Sequence, residues 1–201
     1  MSPRRANPQL AERRREVLIR AAYAEIVEKG IQGTTIDGVV ERAGSSKGGT
    51  LYYFPTKEDL LFGVLEWLIA QLDRTLDDVA ASHDSARSRL AAEIEVLFHS
   101  AEVNRKLYRV LFDYVSLGVR VSRFRALLWS FFERSHQRDV QIIEDGISQQ
   151  EFRRVKADDA ASTLRALVDG YCLQWLLGGD SVPLETYRDR CRSVLGSYLL
   201  R

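Results

Sequence analysis

A chain of 201 residues is long enough for one or two compact domains with a sizeable core. Its 29 Lys and Arg stand against 28 Asp and Glu, a net charge of +1 that excludes a polycation. No apolar run approaches about 18 residues, which excludes a membrane-spanning helix.

Residues 1–8, with Pro3 and Pro8, read as a disordered basic arm. Arg4, Arg5, Arg13, Arg14, Arg15 and Arg20 outweigh Glu12 and Glu16 over the first twenty residues, the local charge pattern of nucleic-acid binding. A first helix follows from about Gln9 to Lys29, where Leu10, Val17, Leu18, Ala21, Ala22, Ile26 and Val27 keep helical spacing and Gly30 ends it. Val17, Ala21, Tyr23 or Ala24, and Val27 are its expected core contacts. The N-terminus lacks the apolar segment of a signal peptide, so a cytoplasmic location is expected.

Thr34 to Lys57, TTIDGVVERAGSSKGGTLYYFPTK, reads as two short helices joined by a tight turn. Thr34 and Thr35 are cap residues, Ile36, Val39 and Val40 form one apolar face, and Ala43-Gly44 stops the helix. Ser45 or Ser46 recaps the chain, and Lys47 to Tyr53 make a second helix that Phe54-Pro55 ends. That is a helix-turn-helix, whose second helix enters the DNA major groove. Ser45, Ser46, Lys47, Gly48, Gly49 and Thr50 are small, polar or cationic, suited to close backbone approach and to base or phosphate contacts. Thr35, Tyr52, Tyr53 and Lys57 are the expected phosphate contacts, Lys57 standing in a first helical turn where a cation is favoured only by an external anion.

The stretch AGSSKGGTLYYFPTKEDLL resembles the signature of the TetR family of bacterial transcriptional regulators, in the variant with two glycines opening the recognition helix. The likeness covers about the first third of the chain. It implies a three-helix DNA-binding unit, a larger helical domain for ligand binding and dimerisation, and control by a small effector. Two positions depart from the pattern: Gly38 lies inside the first helix of the pair, and Thr50 stands where an aliphatic residue is more usual.

The next helix is expected from Thr56 to about Ala80 on a stripe of Leu60, Leu61, Val64, Leu65, Leu68, Leu72, Leu76 and Val79. Asp77 to Arg87 reads as a polar linker with Asp84 or Ser85 as the next cap. Further helices are expected at about 85–101, 104–120, 122–147, 157–178 and 184–200, with Asn104, the 118–122 region, 146–156 and 178–181 as breaks. The fold class is therefore all-α. The divisions are an arm at 1–8, a helix-turn-helix domain at 9–55, and an effector-binding and dimerisation domain at 56–201.

The larger domain concentrates aromatics with interleaved polar residues, as an apolar pocket with a few convergent polar groups requires. Trp67, Phe98, Tyr108, Phe112, Trp129, Phe132, His136, Asp169 and Tyr171 are the candidate contacts of a small apolar or aromatic effector. Aromatics at helical spacing are more often plain core, so this set is weighed against simple packing. The last two helices are apolar on more than one face, which points to a second subunit and a four-helix dimer bundle. Leu164, Val168, Cys172, Trp175, Tyr187, Cys191, Val194 and Tyr198 are its candidate contacts. The segment LVDGYCLQWLLGGD further resembles the C-terminal domain of the choline-responsive repressor subgroup, a likeness that leaves the ligand open.

Cys172 and Cys191 read as buried reduced thiols, and no His/Cys cluster has zinc spacing, so neither metal nor cofactor is expected. The enzyme reading finds no nucleophile elbow, phosphate-binding loop, dinucleotide glycine fingerprint or paired-His motif. The function expected is a homodimeric repressor that binds operator DNA and is released by its effector.

Overall fold

The computed structural model describes residues 8–179 and 181–200, and among these it contains nine α-helices and no strand. It divides into two compact units, Met1–Ile69 and Ala70–Arg201. The division falls within a helix rather than in a loop.

The first unit holds α1 (Pro8–Gly33), α2 (Ile36–Ala43), α3 (Lys47–Tyr53) and the opening turns of α4 (Lys57–Ala81). Of the expected arm, residues 1–7 lie outside the described residues, Arg4 and Arg5 among them; Pro8 is already the first residue of α1. A proline fits there because the first helical N–H has no intrahelical partner to lose. Gly30, at φ 71°, breaks the helix, and a last turn carries on to Gly33. The inward face of α1 is Leu18, Ile19, Ala21, Ala22, Glu25 and Ile26; of the expected core contacts Ala21 is buried, Tyr23, Ala24 and Val27 are half-buried, and Val17 is 51% exposed.

Thr34 and Thr35 divide their work. Thr34 is buried and its hydroxyl donates back to the Gly30 carbonyl at 2.8 Å, whereas Thr35 caps α2 by accepting from the Gly38 N–H at 3.0 Å. Gly44 takes the left-handed conformation, φ 58° and ψ 32°, that closes α2 and turns the chain. Ser46 then caps α3 by accepting from the Gly49 N–H at 3.1 Å. Phe54 ends α3 and is buried, as are Leu60, Val64 and Leu65 on α4.

The second unit is built from the rest of α4, α5 (Ala86–Leu97), α6 (Ala101–Gly118), α7 (Ser122–Ser148), α8 (Ala157–Gly178) and α9 (Leu184–Leu199). α8 packs against α6, α7 and α9, and its Leu164, Val168, Cys172 and Trp175 lie in one core with Leu90, Ile94, Ile143, Cys191 and Leu195. Ser85 caps α5. Asn104, read from sequence as a break, is buried inside α6; the break comes earlier, at Phe98 to Ser100. The Asn104 side chain donates to the Leu97 carbonyl at 2.7 Å, closing the exposed end of α5 from the neighbouring helix. Among the described residues no helix is long and apolar enough to cross a membrane.

Candidate functional site

The α2–α3 pair presents a polar surface whose parts are fixed by the two caps and the Gly44 turn. Ser46, Lys47 and Gly48 are exposed, Ser45 and Gly49 half-buried, and Tyr52 is 78% exposed. Tyr52 and Tyr53 pack edge to face with ring centroids 5.1 Å apart, so both phenols are held on a common support. Thr35 is exposed at the start of α2. Arg13 and Arg14 of α1 join Ser45, Ser46, Gly49 and Tyr53 around an open groove of about 380 Å³. Small residues, hydroxyls and cations together on one exposed face suit a phosphate backbone and the base edges beside it.

Two of the expected contacts sit differently. Thr50 is fully buried, with its hydroxyl directed at Ser45 Oγ 3.4 Å away, so it supports the turn from inside instead of facing outward. Helical spacing fits this, because Thr50 lies four residues before the buried Phe54, on the face that α3 turns to its own unit. Lys57 is half-buried and its ammonium donates to the Gln32 carbonyl at 3.2 Å, a partner within the chain for the charge assigned to an external anion. Lys47 also has a partner that sequence reasoning missed: its Nζ lies 2.8 Å from Asp37 Oδ1 at the start of α2.

A buried carboxylate joins α1 to α2. Glu25 of α1 is 2% exposed and bonded to Lys29 at 2.6 Å and to Arg42 of α2 at 3.1 Å. Arg42 also pairs with Glu28. The hydrogen bond from Lys29, joined by that from Arg42, holds the Glu25 carboxyl below its ordinary range despite burial.

The effector candidates separate into three groups. Phe98 and Tyr108 are buried in the core of the second unit, with Phe112 and Tyr171 packed against it. Burial pushes the Tyr108 phenol well above its usual range, and it pushes the Asp169 carboxyl up as well. Trp67 belongs to the first unit, 5.4 Å from the Tyr23 ring with the Arg20 guanidinium over its own. Only Trp129, Phe132 and His136 meet in a cleft, of about 390 Å³, which Glu133, Ser162 and Arg165 complete. Trp129 is 62% exposed and its indole N–H donates to Glu133 at 2.7 Å. His136 Nε2 lies 2.7 Å from Asp158. Arg165 reaches inward from the cleft to two fully buried carboxylates, Glu93 at 3.0 Å and Asp139 at 2.8 Å. These three residues were not singled out in the sequence, where each looks like one more polar residue on a helix.

The dimer candidates also need correction. Leu164, Val168, Cys172, Trp175, Tyr187 and Cys191 are all buried within their own unit, and Tyr198 is half-buried beneath the Arg153 side chain. Val194 alone of that set is exposed, at 41%; Leu173 and Leu177 on α8, outside that set, are exposed with it. Burial raises the Cys172 thiol to about 12 and the Cys191 thiol to about 11, which keeps both protonated and unreactive. Among the described residues no cluster of metal-ligating side chains occurs.

Comparison with known proteins places these features. Residues 18–64 match the model of bacterial regulatory proteins of the tetR family, and residues 86–200 match that of the BetI-type transcriptional repressor C-terminal domain. An HTH-type transcriptional regulator BetI from Burkholderia mallei is 30% identical over 178 residues, 88% of each chain; its counterpart in Burkholderia cenocepacia is 29% identical over the same span. A protein described as a transcriptional regulator from Saccharomonospora viridis, solved in complex with choline, superposes with a TM-score of 0.89 at 22% identity, over 94% of this chain and 99% of that one. A TetR transcription regulator from Haloarcula marismortui does so with a TM-score of 0.86 at 24% identity, over 94% and 100%. The family and these relatives are transcriptional regulators, not enzymes. The chain belongs to the TetR family of bacterial regulatory proteins, with a BetI-type C-terminal domain, and is a DNA-binding transcriptional regulator.

Proposed function

We propose that the protein is a homodimeric repressor that a small effector releases from its operator. The observation that carries this reading is the exposed face of Ser46, Lys47 and Gly48, with the half-buried Ser45 and Gly49 beside it, held by the Ser46 cap and the Gly44 turn and flanked by Tyr52, Tyr53, Arg13 and Arg14. The α3 face enters the major groove; Thr35, the two tyrosines and the arginines take phosphates, and Lys57 adds its charge near the end of α1. Domain roles follow the same line, with DNA binding in the first unit and effector binding and dimerisation in the second.

A dimer sets two such readers about 34–36 Å apart, one turn of the duplex. Leu173 and Leu177 of α8 and Val194 of α9, the exposed large apolar side chains of these two helices, are where a second copy packs. The effector enters the second unit at the cleft of Trp129, Phe132 and His136, and acts on DNA through α4, whose residues belong to both units. The shift is limited to the effector's differential affinity for the two states. Choline, held by the Saccharomonospora viridis neighbour, is the first compound to assay, because an exposed indole is the side chain that best receives a quaternary ammonium. The test is operator binding with and without added compound, alongside thermal melting. A compound that raises the melting temperature and weakens operator binding supports release. An operator complex unaffected by any compound that stabilises the protein contradicts it.

A further inference from the structure

Asp37 stands at the front of the proposed reading surface, and the regulator reading assigns it nothing. It occupies the second position of α2, is exposed, and receives the Lys47 ammonium at 2.8 Å on one oxygen and 3.2 Å on the other. Lys47 opens α3, so the pair bridges the two helices of the motif at the rim where both reach solvent. An acceptor and a donor are thus held side by side, separated by the length of one hydrogen bond.

That arrangement treats phosphate and base edges differently. A phosphate oxygen offers Lys47 an acceptor, but Asp37 is then carried towards the anionic backbone and repelled by it. A G·C pair in the major groove presents acceptors on guanine beside the cytosine N4 amino donor, and satisfies both members of the pair at once. We infer that Asp37 is a specificity-determining residue, which lowers affinity for arbitrary DNA and makes Lys47 and Asp37 read a G·C pair as a unit. The inference rests on the helix-turn-helix being the operator-reading surface.

Asp37→Asn keeps the shape and removes the charge. Its affinity for random duplex is expected to rise roughly three- to tenfold, with the salt dependence of that binding steepening by about one ion. The ratio of operator to random affinity is expected to fall at least about threefold, and substitutions of one G·C pair in each half-site to matter less than they do for the wild type. Lys47→Ala removes the partner, so adding Asp37→Asn to it is expected to change the ratio much less than in the wild type. Melting temperatures of all variants are measured in parallel, since a lost α2 first-turn charge lowers stability without altering a ratio. A wild type that selects its operator beside an Asp37→Asn variant with the same ratio and salt slope overturns this inference alone. A wild type with no operator preference overturns the regulator reading, and this inference with it.

Discussion

Gly38 lies inside α2, where glycine costs about 1 kcal/mol relative to alanine. A Cβ there would stand 2.4 Å from Glu25 Oε1 and 3.2 Å from Cδ, and Glu25 is tied to Lys29 and Arg42. The carboxylate cannot move aside without loosening the contacts that join α1 to α2. Gly38→Ala is therefore expected to destabilise the protein by about 1–2 kcal/mol in denaturant melts, as overpacking does. In a Glu25→Ala background the same change is expected to be neutral or to stabilise by up to about 1 kcal/mol, since helix propensity is then opposed only by the Thr35 hydroxyl, 3.2 Å from the added Cβ. Equal effects in both backgrounds would place the strain elsewhere. At the reading surface, Lys47→Ala is expected to weaken operator binding by about 1–3 kcal/mol in gel shifts. Thr50→Ala is expected to lower the melting temperature while leaving base preference intact, because Thr50 is buried. Altered base preference in Thr50→Ala would return that residue to the interface.

Among the elements, α5, α7 and α8 are joined by charge as well as by apolar packing. Asp139 of α7 is fully buried beside Arg165 of α8, with Glu93 of α5 also on that guanidinium and Arg138 on its own helix. Burial pushes the Asp139 carboxyl well above the ordinary range, against the pull of Arg165. The folded chain therefore holds this proton more tightly than the unfolded chain, which releases it near pH ~4, and this contribution to stability falls as pH rises from there towards the folded value. Glu25 and Asp145 act in the opposite sense: both are depressed by hydrogen bonds, Glu25 from Lys29 and Asp145 from Gln141 and then Arg89, and their stabilisation is lost as pH drops below the usual carboxylate range. Asp139→Asn, neutral at every pH, is expected to melt increasingly above the wild type as pH rises from about 5 to 8. A constant difference between the two melting curves would show that Asp139 is ionised throughout.

The element pattern was largely legible. The helix-turn-helix showed in its caps and glycine, and α7, α8 and α9 showed in their apolar spacing. Exposure was not legible to the same degree. A leucine or tryptophan at helical spacing is compatible with a helix buried by its own unit or by a partner, so Trp175 and Cys191 were read outward although both are buried in their own unit. Buried charges were missed for a related reason. Glu25 and Asp139 acquire meaning only from helices distant in sequence that bring Arg42 and Arg165 to them. Asn104 misled because its breaking tendency is local, while its hydrogen bond to Leu97 is made across the turn to another helix.

For the whole molecule, the proposal requires two copies acting together. Leu177, 79% exposed, sits one turn from Leu173 on the same face of α8. Leu177→Glu combined with Leu173→Glu is expected to halve the mass in solution and to weaken operator binding by about tenfold or more, since the second reader is no longer tethered to the first. A dimer that survives both changes would place the interface on another surface. The most direct test of the account is a binding titration of the purified protein against the DNA upstream of its own gene, at two salt concentrations, with solution mass measured in parallel. The account predicts a dimer that binds one site far more tightly than random duplex, with affinity falling steeply as salt rises. A monomer, or a protein that binds that DNA no better than random sequence, would contradict it.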